Sequence, residues 1–377
     1  MVQPLRTYSI SELQSLDLNP PKHLVENMLP AGVAILSGPP KSGKSWMCLE
    51  LGLSVASGEP FLGKQTEKVG VLYMALEDSL YRALDRSEKL WGNQDLPKDF
   101  RIAIQSNRLD SGLLDQLKQE KEQRPELGLI IIDTFQKVRP ARSGWVKSDY
   151  EIDYQVLGGA IEFIRQYDDM ALLLIHHNRK ARLDDSDPFD SINGSVALQG
   201  AVDTMWVLKS NRRKDSDIVL YTTGRDIIGE ELVVDWNSED FRWRIIGTQL
   251  EVKERRTWAE YEKHPIVITL KWKLDQLRRN GIDEYIARAK DFRNEVTNHT
   301  GKVINSSERG FQELVNSFDE MFYMDGIRHT IPEQSTKIKS ADGRMVSGRF
   351  HRYSFFDGVA SKDSDITDIE SDNVGGV

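Results

Sequence analysis

One stretch restricts this chain more than any other. SGPPKSGKS lies between an apolar run, AGVAILSG, and a helix-forming run, KSWMCLELGLSVASG, that closes at Gly58. Gly38, Gly43, Lys44 and Ser45 fit the spacing G-x-x-x-x-G-K-[ST]. The spacing predicts a buried strand, a tight turn and a helix in direct succession. The glycines let backbone N–H groups curl around phosphate oxygens, and the helix N-terminus adds partial positive charge. Pro39, Pro40, Lys41 and Ser42 complete the turn, and Trp46 stands in the first turn of the helix. The expected ligands are ATP and Mg²⁺, with Lys44 on the β- and γ-phosphates and Ser45 on the metal.

The rest of the first 250 residues continues the rhythm. KVGVLYMAL, LGLIIID and ALLLIHH are apolar runs of strand length, separated by the helix-like SLYRALDRSEKLWG and YQVLGGAIEFIRQYDD. Continuously apolar strands alternating with helices indicate a parallel sheet covered on both faces. AVDTMWVLK, DIVLYTT and ELVVDW follow with short connections, so an antiparallel extension is expected. The fold class read from this is α/β, with a mainly helical C-terminal domain. The boundaries are an irregular, proline-rich lead-in over 1–30, a core over 31–248, a helical domain over 249–356 and an acidic, disordered tail over 357–377. SSERGFQELVNSFDEMFYMDGI reads as one capped helix and GRMVSGRFHRYSFF as a hairpin, so the helical domain is either a winged helix or a packing module.

Bulk properties set outer limits. A chain of 377 residues with a net charge of −9 is not coated in nucleic acid, although a local basic channel remains open. The one cysteine, Cys48, excludes an intramolecular disulfide and suits a reducing cytosol. The opening MVQPLRTYSI lacks the pattern of a secretory signal, and no apolar run reaches membrane-spanning length. A cytoplasmic protein without a membrane partner is expected.

Four further positions carry chemistry. Asp133 ends LIIID, where a strand-tip acid holds Mg²⁺ through water. The next residue is Thr134, so the base must come from another strand. Glu77 and Asp78 follow the second apolar run; Asp78 is expected to cap the next helix, which leaves Glu77 to activate water. His176 and His177 end the fourth run. Neighbours on a strand point to opposite faces, so the pair does not close around one metal ion.

The ordered set GPPKSGKS, YMALEDS, LIIIDT, LLLIHHNRK, GSVALQGAVD and TTGRD resembles the RecA-like P-loop ATPases. Within them it is most similar to the RepA-type hexameric replicative helicases of plasmids, phages and mobile elements. The resemblance spans about residues 25 to 245 and implies the strand order 5-1-4-3-2. It implies that His177, with His176 as its rival, senses the γ-phosphate and that Arg225, with Arg212 and Arg213 as rivals, is an arginine finger. It also implies that Arg86 stacks on the adenine. Single-stranded DNA would meet the loops after the third and fourth strands. There Arg139, Arg142 and Lys147 surround Trp145, and Arg179 and Lys180 follow the histidines. The implied assembly is a homo-hexamer working with replication proteins. A RecA-like recombination or annealing ATPase and an ATP-switched DNA-binding regulator compete with the helicase reading; a small-molecule kinase fits less well.

Overall fold

Alternation along each strand sorts its side chains between two cores. In β1 (Gly32–Gly38), Ala34 and Leu36 enter one apolar cluster while Val33 and Ile35 enter the other. The computed structural model describes residues 5–16, 18, 20–92, 94–140, 149–177, 187–192, 196–210, 217–331, 335–339 and 344–356. The chain forms two compact units, residues 1–252 and 253–377.

The first unit continues through α1 (Lys44–Ser57), β2 (Gly70–Ala75), α2 (Leu80–Trp91), β3 (Phe100–Ala103), α3 (Leu113–Gln123) and β4 (Leu127–Asp133). After these come α4 (Asp149–Ile164), β5 (Ala171–His177), β6 (Thr204–Ser210), β7 (Ile218–Gly224), β8 (Glu230–Trp236) and β9 (Trp243–Thr248). Among the described residues these nine strands form one sheet, ordered β9-β8-β7-β6-β1-β5-β4-β2-β3. From β6 to β3 the pairing is parallel; β7, β8 and β9 join antiparallel. The segment β6-β1-β5-β4-β2 is the expected 5-1-4-3-2 order, and the antiparallel extension is present. Edge strand β3 is an addition that the apolar pattern did not announce.

Helix α1 is buried along most of its length, against β2 and β4 on one face of the sheet. The approach is close at Gly52, where a Cβ would stand 2.7 Å from the Phe100 ring and 3.3 Å from Ile131. Any side chain there would push the helix off the sheet. Alternation then selects the residues that share the α1 face. Tyr73 follows Val71 on β2, Asp133 follows Ile131 on β4, and His177 follows Ile175 on β5.

The lead-in is not irregular. His23–Val25 pairs with Leu29–Pro30, and Leu24, Val25, Met28 and Leu29 are buried in the α1-side core. The Trp206 indole N–H donates to the Met28 carbonyl at 3.1 Å. Prolines at 20, 21 and 30 shape the path without keeping the apolar residues in solvent. Ahead of it, Ile10–Ser15 is a short helix closed by a Ser9–Glu12 capping box.

After α5 (Gln249–Glu262), the second unit contains α6 (Pro265–Arg279), β10 (Glu284–Ala287), α7 (Ala289–Thr300), α8 (Glu308–Asn316) and α9 (Asp319–Met324). It ends with β11 (Ile327–Thr330), β12 (Thr336–Lys339), β13 (Met345–Gly348) and β14 (His351–Phe355). Strands β10, β14 and β11 form an antiparallel sheet in that order, while β12 and β13 form a separate ribbon between β11 and β14. The order is helix, strand, three helices, strand, ribbon, strand, one helix more than a winged helix places between its first two strands. The single long helix expected over 306–327 is two, because the chain breaks at Ser317 and Phe318. The strands of the expected late hairpin belong to different sheets. A core of Phe292, Phe311, Phe322, Ile327 and Tyr353 holds the unit together.

Candidate active site

Gly43 caps α1 in the left-handed region, at φ 90°, with Lys44 and Ser45 next in the helix. That backbone turn carries the N–H groups of the loop toward one point, and only glycine adopts it without strain. The Lys44 ammonium donates to the carbonyls of Gly38 and Pro39, both at 2.8 Å. The loop therefore holds its own lysine in place by bonds that a phosphate oxygen can exchange for stronger ones.

Asp133 lies beside this turn. It accepts from the Tyr73 hydroxyl at 2.8 Å and from Ser45. Burial raises its pKa; the Ser45 and Tyr73 bonds pull it down, and Asp78 and Glu77 push it up again. A divalent cation there would favour the charged carboxylate. The Ser45 hydroxyl and the Asp133 carboxylate are hard oxygen donors of the kind Mg²⁺ takes, so these residues fit the metal.

Glu77, half-exposed, accepts from Thr134 Oγ1 at 3.4 Å and stands 3.9 Å from Lys137 Nζ. Asp78 does not cap α2. Ser79 does, accepting from the Arg82 N–H at 3.3 Å. Asp78 is held instead by Arg82 at 2.8 Å and Arg86 at 2.6 Å. Arg86 also lies over the Trp46 ring, 5.4 Å from its centre.

His177 pairs in register with Gly38 and faces the same pocket, and among the described residues its buried Nδ1 has no hydrogen-bond partner. Burial lowers its pKa, the Lys44 charge adds to this, and Glu77 and Asp133 oppose it. The ring is accordingly neutral at neutral pH, with one N–H to donate. His176 points the other way: its Nδ1 lies 2.8 Å from the His177 carbonyl and its ring 5.9 Å from Phe135.

Lys41, Ser42, Lys44, Ser45, Trp46, Glu77, Asp78, Arg86, Asp133 and His177 line one pocket of about 810 Å³. Arg225 does not. It follows β7 at the opposite end of the sheet, where it pairs with Asp203 at 3.1 Å and donates to the Gly200 carbonyl at 3.2 Å. Arg139 caps the short helix Phe135–Val138 beyond Asp133. Arg142, Trp145, Lys147, Arg179, Lys180, Arg212, Arg213 and the acidic tail lie outside the described residues.

Arg82 and three residues of the extension escaped the motif reading. Ile218, Trp236 and Trp243 arrive from the antiparallel extension. Trp236 and Trp243 are cross-strand partners, and the Trp243 ring edge lies where a Cβ on Gly43 would come within 2.5 Å. Among the described residues its buried indole N–H has no partner. Trp46 stacks on Phe241 at 5.0 Å. Glu50, buried on α1, accepts the Trp243 backbone N–H at 2.9 Å and ties this hairpin to the phosphate loop. Burial pushes the Glu50 pKa up to about 7, with the Trp243 bond pulling against it.

Residues 3–182 match the sequence model of a family described as an AAA domain. No curated protein matches the chain. Among solved structures, the ATPase domain of G40P is 13% identical over 57% of this chain and 84% of that one, with a TM-score of 0.46. A DnaB-like replicative helicase, described with its interactions with primase, is 13% identical over 57% of each chain, also at 0.46. Among the described residues no helix is long and apolar enough to cross a membrane.

Proposed function

From the premise that the chain carries a P-loop ATPase domain of the RecA-like type, we propose that it is an ATP-hydrolysing motor on single-stranded DNA. Within that class we assign it to the replicative helicases of plasmids, phages or mobile elements, acting as a homo-hexamer alongside replication proteins. The observation that carries the reading is the gathering of Lys44, Ser45, Asp133, Glu77 and His177 on one pocket, with Arg225 beyond reach of it.

The residues divide the work as follows. Lys44 leaves the Gly38 and Pro39 carbonyls for the β- and γ-phosphates and offsets their charge. Ser45 and Asp133 would hold Mg²⁺, which would supply positive charge against the developing negative charge of the reaction. Glu77 takes a proton from water as its oxygen bonds to the γ-phosphorus, and ADP departs with the electron pair of the broken P–O bond. His177 donates to the γ-phosphate and loses that contact when phosphate leaves. Arg225 acts on the nucleotide of an adjacent copy. Trp46 and Arg86 meet the base end of the nucleotide, and Arg139, Arg142, Lys147, Arg179 and Lys180 meet DNA.

The test is ATPase rate with and without single-stranded DNA, beside unwinding of a forked duplex. Stimulation with unwinding is expected. Stimulation without unwinding would move the chain to the recombination or annealing ATPases, and absence of stimulation would sink both motor readings.

A further inference from the structure

The second unit raises a separate question, because its fold and its charge disagree. In a winged helix, the helix before the second strand is the ordinary candidate for the major groove. Here that strand is preceded by two short helices, α8 and then α9. The exposed face of α8 carries Glu308 and Glu313, and Arg309 is tied to Glu313 at 2.9 Å. Asp319 and Glu320 follow at once and are exposed. A face of this sign repels phosphates.

The ribbon has the opposite character. Lys337, Arg344 and Arg349 are exposed on it and at its exit. In backbone register, Lys337 pairs with Ser347 and residue 339 with Met345. Met345 is 62% exposed, an apolar side chain among cations. The ribbon springs from a fixed base. His329 on β11 and Tyr353 on β14 stack at 4.5 Å, and the His329 and His351 rings are joined at 2.8 Å.

We propose that the second unit is a duplex-DNA site that works through its ribbon, with Lys337, Arg344 and Arg349 on phosphates, Met345 against base edges, and α8 turned away. Two observations favour duplex over single strand. A two-stranded ribbon fits a duplex groove. Single-strand sites stack bases on aromatic side chains, and the sequence from Ile331 to Arg349 contains none. An exposed methionine between cations is the arrangement by which groove-binding proteins press an apolar group on a base step. This site is independent of the motor reading, since it concerns other residues and another form of DNA.

The experiment uses the full chain, a fluorescent blunt duplex, and salt titration. Replacing Lys337, Arg344 and Arg349 together by Glu is expected to weaken duplex binding at least ~10-fold and to flatten the dependence of log K on log salt by about 2 to 3. Arg309→Glu on α8 should change neither. Duplex binding that survives the triple replacement, or that falls as far with Arg309→Glu, overturns the proposal. Hydrogen exchange on the unaltered protein gives a check that needs no variant. Duplex should protect residues 335–349, and protection confined to 307–317 overturns the proposal. Single-strand-stimulated ATPase, read in parallel, should be unchanged by the triple replacement, so failure of one reading stays visible apart from the other.

Discussion

The two ends of the parallel sheet are built from the same kinds of residue and do different things. At the C-terminal ends of β1, β4 and β5, Lys44, Asp133 and His177 converge on a pocket that buries the first two and partly covers the third. At the N-terminal ends, Asp203 accepts the Val33 N–H at 3.0 Å and pairs with Arg225, whose side chain remains 55% exposed. The strands between span roughly 20 Å, several times the length of an arginine side chain. Within one copy, Arg225 and the phosphate loop have no means of meeting. Any part Arg225 plays in ATP chemistry therefore belongs to a second copy, which turns a geometric contrast into a statement about assembly.

The contrast can be broken at either end. Lys44→Ala should have the largest effect, lowering ATPase activity by ~10⁴-fold, because Lys44 is the cation that the Gly38 and Pro39 carbonyls hold at the phosphate position. Retained activity would remove the pocket from the mechanism. Arg225→Ala should cost ~10³-fold, and mixing it with Glu77→Gln should restore part of the rate, since a mixed interface can pair an intact base with an intact arginine. Mixed oligomers with no recovery would confine Arg225 to its ion pair with Asp203.

A smaller effect sharpens how the pocket end is held. Glu50 has its pKa raised to about 7 by burial, so the folded chain keeps this proton at pH values where the unfolded chain has lost it. Its contribution to stability is full below the ordinary carboxylate range and is lost as pH rises toward 7. The change is on the order of 3 kcal/mol. Unfolding by denaturant at pH values across that window should show this slope, and Glu50→Gln should flatten it. An unaltered slope would mean that the charge resides on other groups.

How much of this could be read from the chain depends on how each feature is encoded. The phosphate loop, Asp133 and His177 are each a polar residue at the end of an apolar run, and strand alternation alone sends them to the α1 face. Strand β3 stayed hidden because Phe100–Ala103 is short and half-exposed, with too few apolar residues to stand out. The cap of α2 was misassigned by one residue. Asp78 and Ser79 can both cap, and only the positions of Arg82 and Arg86 decide that Asp78 is engaged elsewhere. Trp236 and Trp243 carry no local signal at all. They reach the loop through antiparallel register, about 190 residues away in sequence, and no periodicity records that.

The indoles around the phosphate loop have a spectroscopic consequence. Trp46 and Trp243 are two of the eight tryptophans of the chain, and both line the pocket, as does Trp236. A phosphate group or a base entering there changes the polarity and the quenching charges around these fluorophores. The protein thus carries its own dye, and nucleotide occupancy can be followed by intrinsic emission in unlabelled protein, step by step through a turnover.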